Sequence, residues 1–124
     1  MEKEKIVLFS EPLETTSREL SPFLEKHGFK LIKVDSLKET LLTLQEGRVD
    51  ALVIDASLLE DDCGFISVIK GIEKDLPVII CAESNTPELE SKIRQQKIFY
   101  YHIKSFGIDD LEMAVSNAIN GLSQ

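Results

Sequence analysis

Ala51-Leu52-Val53-Ile54-Asp55 (ALVID) decides the fold. Four apolar residues in a row, two of them β-branched, read as a short strand covered on both faces, because a half-exposed strand would alternate polar and apolar. The carboxylate that ends the run belongs to the loop beyond, at the carboxyl end of the strand. Outward from this stretch the same grammar repeats. Lys5 to Phe9 (KIVLF), Lys30 to Val34, Val78 to Cys81 and Phe99 to Ile103 are further short apolar runs. Between them lie longer amphipathic stretches bounded by Gly, Pro, Ser or Asp. The helices are predicted at Pro12 to Lys26, from Ser36 to a stop at Gly47, at Gly64 to Lys74, at Pro87 to Gln96 and at Ile108 to Asn120. Ser36 followed by Glu39 reads as a capping box, and Gly28 and Gly121 read as C-terminal stops. Pro22 inside the first helix predicts a kink or a late start at Ser21.

Five strand–helix units in 124 residues predict an α/β fold: a doubly wound, five-stranded parallel sheet in a three-layer sandwich, joined by right-handed crossovers. In the flavodoxin-like order 2-1-3-4-5 the winding reverses between strands one and three, and ligand crevices open at the carboxyl ends of strands at such a point. Ser10 and Glu11 follow strand one and Asp55 ends strand three, so this topology alone would bring them together. Residues 1–121 are read as one domain and 122–124 as a frayed tail or the start of a linker.

Composition excludes several classes. A net charge of −8 without a Lys/Arg run makes the chain a poor electrostatic partner for nucleic acid or anionic lipid. It has no apolar stretch long enough to span a bilayer, and its start (MEKEKIVLF) is not a secretory signal. With two cysteines in unlike settings, Cys63 and Cys81, reduced thiols and a cytoplasmic location are expected. Glu60, Asp61 and Asp62 lack the alternating spacing of a calcium loop and read as a solvated turn.

Over nearly its whole length the chain resembles the receiver (CheY-like) domains of two-component response regulators. Ser10 and Glu11 match the acidic pair after strand one, Asp55 the phospho-accepting aspartate and Lys104 in YYHIKSF the lysine after strand five. Ala82 stands where a Ser or Thr ends strand four, Ser105 where a proline follows the lysine, and Tyr101 at the switch aromatic. DDCGF, Asp61 to Phe65, is similar to the loop into helix three. The resemblance implies an Mg²⁺ site formed by Glu11, Asp55 and the Ser57 backbone carbonyl, with Lys104 pairing the phosphoryl group. The departures fall on that chemistry. Ser10 removes one carboxylate, Glu11 lengthens the other, and Ala82 lacks a hydrogen bond to a charged group worth roughly 1.5–3 kcal/mol. Glu83 would crowd and repel an incoming phosphoryl group.

Each of these residues also has a plainer role open to it. Glu11 and Ser10 suit a helix N-terminus, and Lys104 can hold Asp55 in a standing ion pair. The function expected is therefore an atypical receiver, a pseudo-receiver with phosphorylation-dependent switching lost. It would act as an interaction or dimerisation module for an output domain in cis or trans and would not be an enzyme. Its partners would be a sensor kinase or other signalling protein, or a second copy through helix four, strand five and helix five, where Tyr101, His102, Asp109 and Asp110 lie. No cofactor is expected, or Mg²⁺ held weakly. The alternatives are a working receiver that takes phosphate on Asp55, and an FMN-binding flavodoxin-like protein, suggested by Thr15, Thr16 and Ser17 but without the glycine a phosphate loop needs.

Overall fold

The computed structural model describes residues 4–59, 64–83 and 87–121. Five parallel strands, β1 (Ile6–Ser10), β2 (Lys30–Val34), β3 (Ala51–Asp55), β4 (Val78–Ala82) and β5 (Tyr100–Ile103), form one sheet in the order β2-β1-β3-β4-β5. The helices between and after them are α1 (Thr16–Lys26), α2 (Leu37–Glu46), α3 (Phe65–Ile72), α4 (Pro87–Arg94) and α5 (Asp109–Ile119). The expected strand order is the one observed, so the crevice of the switch point lies between β1 and β3.

Strand parity sorts the core into two layers. Leu8, Leu52, Ile54, Val78, Ile80 and Tyr101 face one way and pack with Ile66 and Ile69 of α3 and Ile93 of α4. Val7, Phe9, Val53, Ile79 and Cys81 face the other way, toward Leu20 and Leu24 of α1 and Leu111 and Val115 of α5. Both faces are covered, which is why ALVID reads as continuous rather than alternating. Each large apolar side chain fully buried there contributes about 1.5–3 kcal/mol.

The register fixes the site. Ser10 lies beside Ile54, Asp55 beside Cys81, and Ala82 beside Ile103. By parity, the next residue after Val7 and Phe9 on the α1/α5 side is Glu11, and Asp55 continues the same row on β3.

Several boundaries differ from expectation. α1 begins at Thr16, not Pro12, and runs unbroken through Pro22. The proline occupies an exposed position of the helix, and its missing N–H leaves the Arg18 carbonyl without the i+4 donor. Residues 11–15 form the loop instead, for a reason found at Glu11. The capping box is present in part, with Ser36 accepting from the Glu39 amide at 3.1 Å. Glu60 to Cys63 and residues 122–124, including the acidic trio and most of DDCGF, lie outside the described residues. Cys81 is a free, buried thiol. Among the described residues no helix is long and apolar enough to cross a membrane.

Candidate functional site

β3 ends by delivering Asp55 to the crevice, and a short 3-10 turn over Ala56–Leu59 follows at once. Its start is held by Asp55 itself, whose Oδ1 accepts from the Ser57 amide at 2.9 Å. The other oxygen, Oδ2, accepts from Lys104 Nζ at 2.6 Å across the sheet. Lys104 follows β5 directly, so the sheet's own register brings ammonium and carboxylate together. Glu83, just past β4, adds a second carboxylate at 3.5 Å from the same nitrogen. Burial pulls the Lys104 ammonium toward deprotonation, but the hydrogen bond and charge of Asp55, with Glu83 behind them, outweigh it and hold its pKa above the ordinary value. The residue expected to repel an incoming anion is thus a partner of the lysine. Below the pair, burial drives the Cys81 thiol far up, although Lys104 draws it the other way. It is an inert core thiol, not a nucleophile.

Glu11 is buried and turned toward α1. Its Oε1 accepts from the Ser17 amide at 3.0 Å and the Ser17 hydroxyl at 2.5 Å, and its Oε2 from the Thr16 amide at 3.2 Å. The Thr15 hydroxyl lies 3.4 Å from Oε2. Thr15, at the formal cap position, makes no side-chain cap bond. A carboxylate from upstream therefore closes the helix and meets its positive dipole end, and this delays the start of α1. Ser10, also buried, is committed elsewhere: its hydroxyl is 2.6 Å from Thr40 Oγ1, which donates to the Ser36 carbonyl at 2.8 Å. With Thr40 Oγ1 already donating, Ser10 is the donor in that pair, and the chain ties β1 to the first turn of α2.

A hard divalent cation needs several oxygens converging on one point. Here Glu11 spends its oxygens on amide and hydroxyl donors, Ser10 faces α2, and Asp55 is bound to Lys104. No group of three His, Cys, Asp or Glu side chains among the described residues is placed to hold a metal ion. The residues present do not fit the Mg²⁺ site that the sequence resemblance implies. Ala82, buried at the end of β4, offers no polar atom in place of a hydroxyl.

β5 corrects another expectation. Tyr101 and His102, named as candidates for an interaction surface, are only 5% and 2% exposed, because helices cover both faces of this edge strand. Tyr101 lies in the α3/α4 layer with Arg94 5.3 Å over its ring, and His102 faces the α1/α5 side. Among the described residues, neither the Tyr101 hydroxyl nor His102 Nδ1 has a hydrogen-bond partner. Asp109 and Asp110 are exposed in the first turn of α5, with Met113 one turn on. Sequence reading missed Thr40 as the partner of Ser10 and Glu83 as a partner of Lys104. Only the polar Thr40 on an otherwise apolar helix face signalled the first. Nothing local signalled the second.

No protein-family profile matches the chain and no curated protein does. Solved structures do. A response regulator from Thermotoga maritima superposes with TM-score 0.84 at 21% identity, covering 95% of this chain and 99% of that one. The signal receiver domain of an HD domain-containing protein from Pseudomonas fluorescens Pf-5 gives 0.83 at 19%, covering 96% and 97%. A CheY-like response regulator receiver domain protein from Methanospirillum hungatei JF-1 gives 0.83 at 12%, covering 96% of each. At such identities the likeness is one of architecture, and this chain has the fold seen in response-regulator receiver domains.

Proposed function

We propose that this chain is an atypical receiver domain of bacterial-type, cytoplasmic signal transduction that works as a protein-interaction module, with phosphate-driven switching lost. One observation carries the reading: Ser10, Glu11, Asp55 and Lys104, the four polar side chains that the sequence resemblance places at the switch point, each already have an intramolecular partner. Lys104 is engaged by Asp55 and Glu83, Glu11 by the first turn of α1 and Ser10 by Thr40. A phosphoryl group on Asp55 would have to displace the Lys104 pair, and Ala82 has no hydroxyl to follow it. In this reading Asp55 and Lys104 have become structural, and no step runs through a metal ion.

Signalling then depends on docking. A partner that binds one packing of α4 and β5 better than another shifts the population between them by its difference in affinity. The candidate surface is α4–β5–α5, offered by Asp109, Asp110 and Met113 rather than by Tyr101 or His102. Its partners would be a second copy of the chain, an output domain in cis or trans, or a sensor kinase or other signalling protein. A phospho-accepting receiver is the alternative, favoured by the nearness of Asp55 and Lys104.

Two measurements separate them. Incubation with acetyl phosphate and Mg²⁺, followed by intact mass, should leave the mass unchanged; gain of one phosphoryl group, lost in Asp55→Asn, establishes the alternative. Sedimentation equilibrium should show concentration-dependent self-association weakened by Met113→Lys, and a monomer at all concentrations removes the dimer reading.

A further inference from the structure

We infer that the groove between the C-terminal ends of α3 and α4 binds a nucleoside di- or triphosphate, with the phosphates on Lys70, Lys74 and Lys97 and the base in the adjoining cavity beside the start of β5. The groove lies at the edge of the sheet where the strands begin, opposite the end that carries Asp55, so the inference stands whether or not Asp55 takes phosphate. It encloses about 540 Å³, inside the ~300–1,000 Å³ of small-molecule pockets. Lys70, Asp75 and Lys97 also border the second cavity, of about 480 Å³, whose apolar wall includes Pro77, Ile98 and Phe99.

The charge of the groove runs against that of the chain. The protein carries −8, yet three ammonium groups line this groove against the single carboxylate of Asp75. Among the described residues none of the three has a carboxylate within ion-pair distance, and Lys70 Nζ donates to the Leu76 carbonyl instead. Burial holds Lys70 below the ordinary ammonium value, and the Lys97 charge adds to this against the pull of Asp75. The cations oppose one another until an anion enters.

Lysine near a helix C-terminus complements the dipole, which accounts for Lys70 and Lys74. It accounts for neither Lys97 nor Gly71. Lys97 adopts φ 59°, in the left-handed region that glycine occupies without steric cost, just past α4 where glycine is usual. Gly71 is the reverse case: it lies inside α3, where glycine is a poor helix former, although an added Cβ would meet nothing within 4 Å. Packing does not demand it. Its effect is to leave the groove floor bare beside Ser67 and Lys70, which share its face of α3, while a Ser67–Gln96 hydrogen bond ties the two helices together. Both choices run against local backbone preference, and both open or charge the same groove. A nucleoside is favoured over an inorganic oligophosphate by the second cavity. Half-buried Phe99 offers a ring for the base, and Asp75, shared by both cavities, can accept from ribose hydroxyls.

The test titrates the isotope-labelled protein, without Mg²⁺, with ATP, GTP, tripolyphosphate and adenosine while reading amide shifts. At least one of the two nucleotides should bind saturably, shift residues 67–77 and 95–99 most, and bind at least tenfold tighter than tripolyphosphate or adenosine. Lys74→Glu should weaken it at least tenfold, as should Gly71→Glu, which fills the floor with a carboxylate. Lys97→Gly should weaken it at least fivefold without lowering the urea midpoint, which separates a ligand contact from a structural role. Lys26→Glu, an equal charge change at an exposed site ending α1, should leave binding within about twofold. The inference is overturned if neither nucleotide binds saturably, if the shifts map elsewhere, if Lys26→Glu weakens binding as much as Lys74→Glu, or if tripolyphosphate or adenosine matches the nucleotide.

Discussion

Removing Lys104 asks how much of the fold rests on the pair at the switch point. Lys104→Met keeps the length of the side chain and deletes its charge. At 2.6 Å and an effective dielectric of 20, the Coulomb attraction is about 6 kcal/mol before desolvation is subtracted. The two side chains are 18% and 11% exposed. That places the pair between surface ion pairs, worth about 0–1 kcal/mol, and buried ones, whose broken partner costs about 3–5 kcal/mol. We expect Lys104→Met to cost about 2–3 kcal/mol, largely because Asp55 is left with the Ser57 amide alone. Asp55→Asn should cost less, since its amide can still bond. Urea unfolding of both single variants and the double variant closes a thermodynamic cycle. With m near 1–3 kcal/mol/M, the first variant should lower the midpoint by about 1 M or more. A coupling energy of about 1–2 kcal/mol supports the argument, and one below about 0.5 kcal/mol would place the pair among ornamental surface contacts and refute it.

Glu11→Ala strips the partners from two buried amides and a hydroxyl and should destabilise by about 2–3 kcal/mol, with Glu11→Gln intermediate; thermal melts with and without Mg²⁺ should coincide for all three proteins. His102 titrates below its ordinary value because burial opposes its charge, so stability should fall as pH drops below about 6.5, and His102→Gln should flatten that slope in urea midpoints from pH 7 to 5. At the alkaline end, Lys104 and Tyr101 both titrate above their ordinary values, Lys104 because Asp55 outweighs burial and Tyr101 chiefly through burial. Stability should therefore decline as pH rises past about 10, less steeply in Lys104→Met. Ile54→Ala, in the strand that carries Asp55, should cost about 2–5 kcal/mol by the same urea assay.

What the sequence made legible was whatever depends on period and punctuation. ALVID and its four companions are continuous apolar runs because helices cover both faces, and that pattern sufficed for the five strands and the doubly wound class; the strand order was expected from the flavodoxin-like class, and the place of Lys104 beside Asp55 from the resemblance to receiver domains. Side-chain allocation at the ends of strands was less accessible. Glu11 could face the crevice or the helix with the same backbone, and the choice was made by three donors in Thr16 and Ser17 that matter only once α1 begins at Thr16. Expecting either Tyr101 or His102 to face solvent failed because β5, although an edge strand, is roofed by α4 on one side and α5 on the other. Glu83 read as a repelling charge because its distance to Lys104 is set by the register of β4 against β5, which no local motif encodes.

Amide spectra of the intact protein, titrated first with Mg²⁺ and then with beryllofluoride, test the central claim that the switch point is closed by its own side chains. The account predicts no saturable shift at Asp55, Ser57, Ala82 or Lys104 at millimolar Mg²⁺, and none on adding beryllofluoride. Saturable shifts at those residues that vanish in Asp55→Asn would contradict it.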